Sequence, residues 1–256
     1  MNSATTALLL NEQRPVLAIL PLGATEQHSG HLPIGTDTLI GESVAREAAR
    51  ELDAFLMPAL PYSISQMHRG HPGSFWVRNT TLRLVLHDLA ESLIAGGFRQ
   101  FLILNSHGGN VLLPSVIQDL NFDHPALHSF TINTYDGVMD REMFPDEEGL
   151  SHAGDYETSL MLHLHPDLVV SSAIRENPLP IAADALRYNT FAEISAHGHT
   201  GNPALATAEK GRQVFALMTA RVVSESRRIL RETGSRRGAR SSAPHRQDPP
   251  ADAAPR

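Results

Sequence analysis

Two apolar runs in this chain empty directly into polar, glycine-containing segments. Residues 16–22 (VLAILPL) lead into Gly23-Ala24-Thr25-Glu26-Gln27-His28, and Phe101 to Leu104 lead into Asn105-Ser106-His107-Gly108-Gly109-Asn110. A short continuous apolar run bounded by turn residues reads as a strand buried on both faces. Segments of helical period stand between such runs. Leu39, Ile40, Val44, Ala48 and Leu52 share one face of a helix over Thr38 to Leu52, and Leu82, Leu86, Leu89 and Leu93 do so from Thr81 to Ala95, where Gly96 and Gly97 supply a stop. Phe55 to Leu60 is a further apolar run ended by Pro61, and Ser129 to Asn133 reads as another strand. Val111 to Leu120, Glu157 to His165 and Lys210 to Glu232 read as helices, and Leu168 to Ser171 as a turn or strand. This alternation predicts an α/β fold, a three-layer α/β/α sandwich with a mostly parallel central sheet. Ligands of such folds bind beyond the carboxyl ends of the strands, where both polar segments lie.

The length of 256 residues suits a single domain, placed at residues 1–234. Residues 235–256 are rich in Arg, Ser, Pro, Ala and Asp and hold almost no large apolar side chain, so they are expected to form a disordered tail. The chain has no cysteine, which excludes disulfides, thiolate metal sites and a thiol nucleophile. Any metal must then be held by His, Asp or Glu, and there are 14 His. The net charge of −7 argues against general nucleic-acid binding. The apolar run Ala7 to Leu10 is too short for a signal peptide, and no stretch reaches the length of a membrane span. The expectation is a cytoplasmic protein without a membrane partner.

Three clusters carry candidate chemistry. In the first, Glu26 and His28 are two apart, so an extended backbone points both side chains the same way. Asp37 follows a Gly/Pro-containing loop that can fold back, and a carboxylate has two oxygens with which to bridge two cations. In the second, His107 stands at a strand end beside Gly108 and Gly109, which let the backbone approach a ligand, and Asn110; these three are candidate substrate contacts. In the third, His152-Ala153-Gly154-Asp155-Tyr156-Glu157, the carboxylate of Glu157 is either a helix-start residue favoured by the dipole or a site residue. The loop holding His68, Arg69 and His71 is a candidate wall of a substrate pocket, whereas His163 and His165, beside apolar residues on a helix, read as structural.

GATEQHSGHLPIGTD, NSHGGN, HAGDYETS and the segment from Gly201 to Gly211 resemble, in order, four motifs of the creatininase (creatinine amidohydrolase) family, over about Leu17 to Gly211. The resemblance implies two divalent cations, zinc first, with manganese or iron as alternatives. Glu26 and His107 would hold one, His28 the other, and Asp37 would bridge them. Creatinine-hydrolysing members place a metal-binding glutamate two positions after the strand-end histidine. Here that position is Gly109, which leaves Glu157 to complete the second site or to act in catalysis. The creatinine enzymes also surround their substrate with tryptophans, and this chain has one, Trp76. The HGGN form is more similar to branches acting on formamides, peptide-like precursors or other ring compounds.

The implied activity is hydrolysis of a C–N bond in a cyclic amide, formamide or related small molecule. A divalent cation lowers the pKa of water that it binds from 15.7 to about 7, and His152 is placed to protonate the departing nitrogen. Hydrolysis of a lactone or cyclic ketone, or small-molecule binding without turnover, are the alternatives. The resemblance also implies a homo-oligomer, with a hexamer as the candidate form.

Overall fold

The computed structural model describes residues 1–138, 142–145, 151–176, 185 and 188–241, with side chains to residue 233. Its centre is β1 (Leu17–Leu22), buried along its whole length. The sheet adds β2 (Phe55–Leu56), β3 (Gln100–Asn105) and β4 (His128–Asn133) in the order β2-β1-β3-β4, with every pair parallel. The register pairs Leu22 with Asn105 and Asn105 with Asn133. Three strands therefore end level, and the loops that follow them leave from one edge.

Alternation along the strands divides the core in two. Leu17, Ile19, Leu102, Leu104, Phe130 and Ile132 face α2 (Thr36–Glu51), α5 (Asp155–Leu164) and α7 (Ala208–Ser241). Ala18, Leu20, Leu22, Phe101 and Ile103 face α3 (Asn79–Ala95) and α4 (Leu113–Asp123). The expected three-layer sandwich is thus the observed architecture.

Differences from expectation are local. Residues 7–13 form a short helix, α1 (Ala7–Gln13), capped by Thr6, whose hydroxyl accepts the Leu9 N–H at 3.3 Å. It buries no side chain, so it left no apolar period to read. Of the two readings left open for Leu168 to Ser171, the turn is observed, as two single 3₁₀ turns, Pro166–Leu168 and Ser171–Ala173. Helix α7 runs to Ser241, so of the segment expected as a tail, residues 242–256 lie outside the described residues. A four-residue helix, α6 (Phe191–Ile194), is closed by a reciprocal capping box between Thr190 and Glu193. Among the described residues no helix is long and apolar enough to cross a membrane.

Candidate metal and active site

The loop after β1 and the first turn of α2 are fastened to each other. The Thr38 hydroxyl donates to the Ala24 carbonyl (2.9 Å), and Ser106, just past β3, donates to the Asp37 carbonyl (2.8 Å). These contacts carry Asp37 back over the strand ends, as the Gly/Pro loop implied. Glu26, His28, Asp37 and His107 are all buried there.

Backbone carbonyls fix the rings of three histidines. His28 Nδ1 lies 3.1 Å from the Glu26 carbonyl, His107 Nε2 2.8 Å from the Ile64 carbonyl, and His152 Nε2 2.8 Å from the Gln27 carbonyl. A carbonyl only accepts, so each of these nitrogens donates, and the other nitrogen of each neutral ring holds a lone pair. Those lone pairs face carboxylates. His107 Nδ1 is 3.0 Å from Asp37 Oδ2 and 3.3 Å from Glu26 Oε1. His28 Nε2 is 3.4 Å from Asp37 Oδ1 and 3.6 Å from Glu157 Oε2, and His152 Nδ1 is 3.8 Å from Glu26 Oε1.

Lone pairs aimed at carboxylates repel unless a positive charge lies between them. Protons supply it in the metal-free protein. Burial opposes the charged form of His28, but Asp37 and Glu157 outweigh it and hold the ring's pKa well above the usual value. Burial likewise opposes charge on His107, and Glu26 and Asp37 outweigh it. Glu26 is held well below the carboxylate range because His107 and His68 overcome its burial. His152 goes the other way: burial, then the neighbouring His28 and His68, push it well below the usual range, so it is neutral near pH 7.

The residues fit divalent cations on a second count. Both Glu26 oxygens, Asp37 Oδ2 and His28 Nε2 are buried without an aligned hydrogen bond. Such orphaned acceptors are costly unless something occupies the space between them. Ligand atoms of Glu26, His28 and Asp37, and of His28, His152 and Glu157, lie within 4.8 Å of one another. All are nitrogen or oxygen donors, which suits zinc, manganese or iron.

Glu157 combines the two readings that its position left open. It sits in the first turn of α5, where its Oε2 accepts the Ala153 N–H at 2.6 Å, and the same oxygen faces His28. Ala153 takes a positive φ of 49° just before the helix, turning the chain between His152 and Glu157.

A cavity of about 430 Å³ opens over these groups, lined by Glu26, Asp37, His68, His107, His152 and Glu157, with Met67, Val111 and Phe191 among its apolar walls. Gly108 and Gly109 also line it. Gly109 is there because nothing larger fits: a Cβ would stand 2.3 Å from both His107 Nε2 and the Ile64 oxygen, across the hydrogen bond that orients His107. Two expected substrate contacts are placed elsewhere. The Asn110 side chain accepts from the Ile64 N–H (3.2 Å) and donates to Asn105 Oδ1 (2.9 Å), so it is bonded within the loops and is not part of the cavity lining. His71 is not part of the cavity lining, and neither is Trp76, which lies on the surface. Sequence reasoning passed over Gln27, buried between Glu26 and His28, and Phe191, whose ring stacks on His68 at 4.5 Å. Gln27 carried a signal, standing inside the first motif; Phe191 carried none.

The family model for creatininase (creatinine amidohydrolase) matches residues 3–225. The chain belongs to the creatininase family. Among its relatives is the mycofactocin precursor peptide peptidase of Mycobacterium tuberculosis, 31% identical over 231 residues, covering 85% of this chain and 86% of the relative. The creatinine amidohydrolase of Pseudomonas putida is 28% identical over 223 residues, covering 77% and 83%. A crystal structure from Bacteroides fragilis, assigned as a creatinine amidohydrolase, matches with a TM-score of 0.73 at 31% identity over 88% of this chain and 94% of that one. A creatininase solved with manganese shares the fold, with a TM-score of 0.75 at 23% identity over 89% and 98%. The creatininase fold and the buried Glu26, His28, Asp37 and His107 cluster therefore occur in one chain.

Proposed function

We propose that this creatininase-family protein is a two-cation amidohydrolase cleaving the C–N bond of a cyclic amide, formamide or peptide-like small molecule. The observation that carries the proposal is the division of Asp37, one oxygen toward His107 and the other toward His28. Glu26 and His107 would hold one cation and His28 and Glu157 the other, with Asp37 between. Bound cations would supply an acidified water and polarise the carbonyl under attack.

The chain's own residues do the rest. His152 is neutral, with its proton on Nε2 and its lone pair turned into the cavity, so it begins as a base. Water adds to the carbonyl carbon while Nδ1 of His152 takes one of its protons. The C–N bond then breaks, and Nδ1 returns that proton to the departing nitrogen. Phe191 packs against His152 at 4.6 Å and shields that side of the ring from solvent.

A peptide-like amide has more support than creatinine. The relative from M. tuberculosis is named for a peptide substrate, Gly109 excludes a glutamate at the position that creatinine enzymes use, and the rim offers Met67 and Val111 in place of tryptophan. The test is a substrate screen beside metal analysis: short peptides, formamides, lactams and creatinine, with purified protein before and after chelation. Chelator-sensitive hydrolysis of an amide supports the reading. Metal-free protein as purified, or turnover indifferent to chelation, overturns it, and brisk creatinine hydrolysis overturns the preference among substrates.

A further inference from the structure

Four histidines border the Glu26 carboxylate or its neighbours, but they do not present the same atom to it. Three of them donate a ring proton to a backbone carbonyl and turn their other ring nitrogen inward. His68 is tied differently. Its Nδ1 lies 3.1 Å from Nε2 of the Gln27 side chain, and its Nε2 lies 3.2 Å from Glu26 Oε1.

The orientation of the Gln27 amide is determined independently of His68. Its Oε1 accepts the Ser29 N–H at 3.0 Å, and its Nε2 donates to the Gly198 carbonyl at 2.8 Å. Exchanging oxygen and nitrogen would set two donors against each other at Ser29 and two acceptors at Gly198. The amide nitrogen has two protons. One goes to Gly198. His152 Nε2, also 3.1 Å away, cannot take the other, because it is itself donating to the Gln27 carbonyl. The second proton therefore goes to His68 Nδ1, which must be the bare nitrogen of that ring. The proton of His68 is then on Nε2, on the side of Glu26. Gly198 is part of the same device: it has a φ of +72°, and a Cβ there would lie 2.0 Å from Gln27 Oε1.

We infer that Gln27 is a positioning residue, which fixes the proton of His68 on Nε2 so that His68 steadies the Glu26 carboxylate and does not itself bind a cation. His68 lies close enough to Glu26 and His152 to complete a ligand group by distance, within 4.8 Å. An N–H turned toward that space has no lone pair to give. The value of the arrangement to Glu26 rests on the reading of Glu26 as a ligand; the tautomer of His68 does not.

The experiment begins with the full chain stripped of metal. Long-range nitrogen–proton NMR of the histidine rings, with His68 assigned by loss of its signals in His68→Ala, should show the proton on Nε2 and Nδ1 as an acceptor. Gln27→Leu removes the amide, and Gly198→Ala pushes it aside without replacing any histidine. Both should mix the two tautomers of His68 and weaken zinc binding by about 10–100-fold, the usual cost of losing an outer-sphere partner, with the number of ions at saturation unchanged. A wild-type His68 with its proton on Nδ1 overturns the inference, and so does a Gln27→Leu protein that keeps the Nε2 proton. If neither variant folds, the wild-type spectrum decides alone. A correct tautomer in a protein that takes up no zinc leaves the role of Gln27 standing and refutes the cation reading instead.

Discussion

Asp37 Oδ2 lies 3.0 Å from His107 Nδ1, while the other oxygen of the same carboxylate turns to His28 at 3.4 Å. One side chain, in the first turn of α2, thereby joins a histidine at the end of β3 to a histidine in the loop after β1. Its removal should be felt on both sides. Asp37→Asn is expected to lose most of the bound metal. Glu157→Gln keeps an oxygen for the Ala153 N–H and should lose only the ion beside His28. Metal stoichiometry of the two variants checks this, and a Glu157→Gln protein with both ions in place would make Glu157 a base or substrate contact.

Substitution of His152 should act on rate alone. Its ring proton is held by the Gln27 carbonyl and its lone pair opens to the cavity. His152→Ala is expected to retain metal and lose turnover by about 10²–10⁴-fold, the scale of a lost proton-transfer group. Loss of metal in parallel with rate would show that Nδ1 is a ligand.

Gly109→Ala tests a close approach in the wall of the cavity. The added carbon meets His107 Nε2 and the Ile64 oxygen at 2.3 Å each, so the orienting hydrogen bond must open. Overpacking of this kind costs about 1–3 kcal/mol, and metal affinity should fall by about 10–100-fold with it. Denaturant melts and zinc titration measure the two effects; a fully stable variant with unchanged affinity would show that the loop relaxes freely.

The pH dependence has a definite sign. In the metal-free protein the pKa values of His28 and His107 are raised by facing carboxylates. Each therefore adds stability that is fully present below about pH 6.5, the unfolded value, and is lost as pH rises through the raised value. The metal-free melting temperature should fall over that interval. Cations need the deprotonated rings, so the increment given by zinc should grow with pH. Melts with and without zinc from about pH 6.5 upward check this, and an increment that shrinks would contradict it.

Much of this arrangement is legible in the sequence. The strands at 17–22 and 101–104 are apolar on both faces, the strand at 129–133 alternates with Phe130 and Ile132 on its core face, and the helices around Val44, Leu86 and Leu160 carry regular stripes, because burial imposes those patterns directly. The candidate residues Glu26, His28 and His107 stood out as polar groups just past strand ends, and Asp37 as the acid after a Gly/Pro loop that can fold back. What stayed hidden depends on approach in space. Phe191 reaches His68 across more than a hundred residues, and Asn110 bonds Ile64 in another loop; neither fact has a periodicity. The α1 helix is set by a single cap, too brief a signal to stand out.

The carbonyls that orient His28, His107 and His152 belong to the main chain of Glu26, Ile64 and Gln27. A point mutation changes side chains, so no substitution at Ile64 deletes the acceptor on which His107 relies. Three imidazoles are in that sense insulated from mutational drift, whereas His68 hangs on a side-chain amide that a single codon change replaces. The orientation of those three rings therefore outlasts a change of side chain at the residues that hold them, and that of the fourth does not.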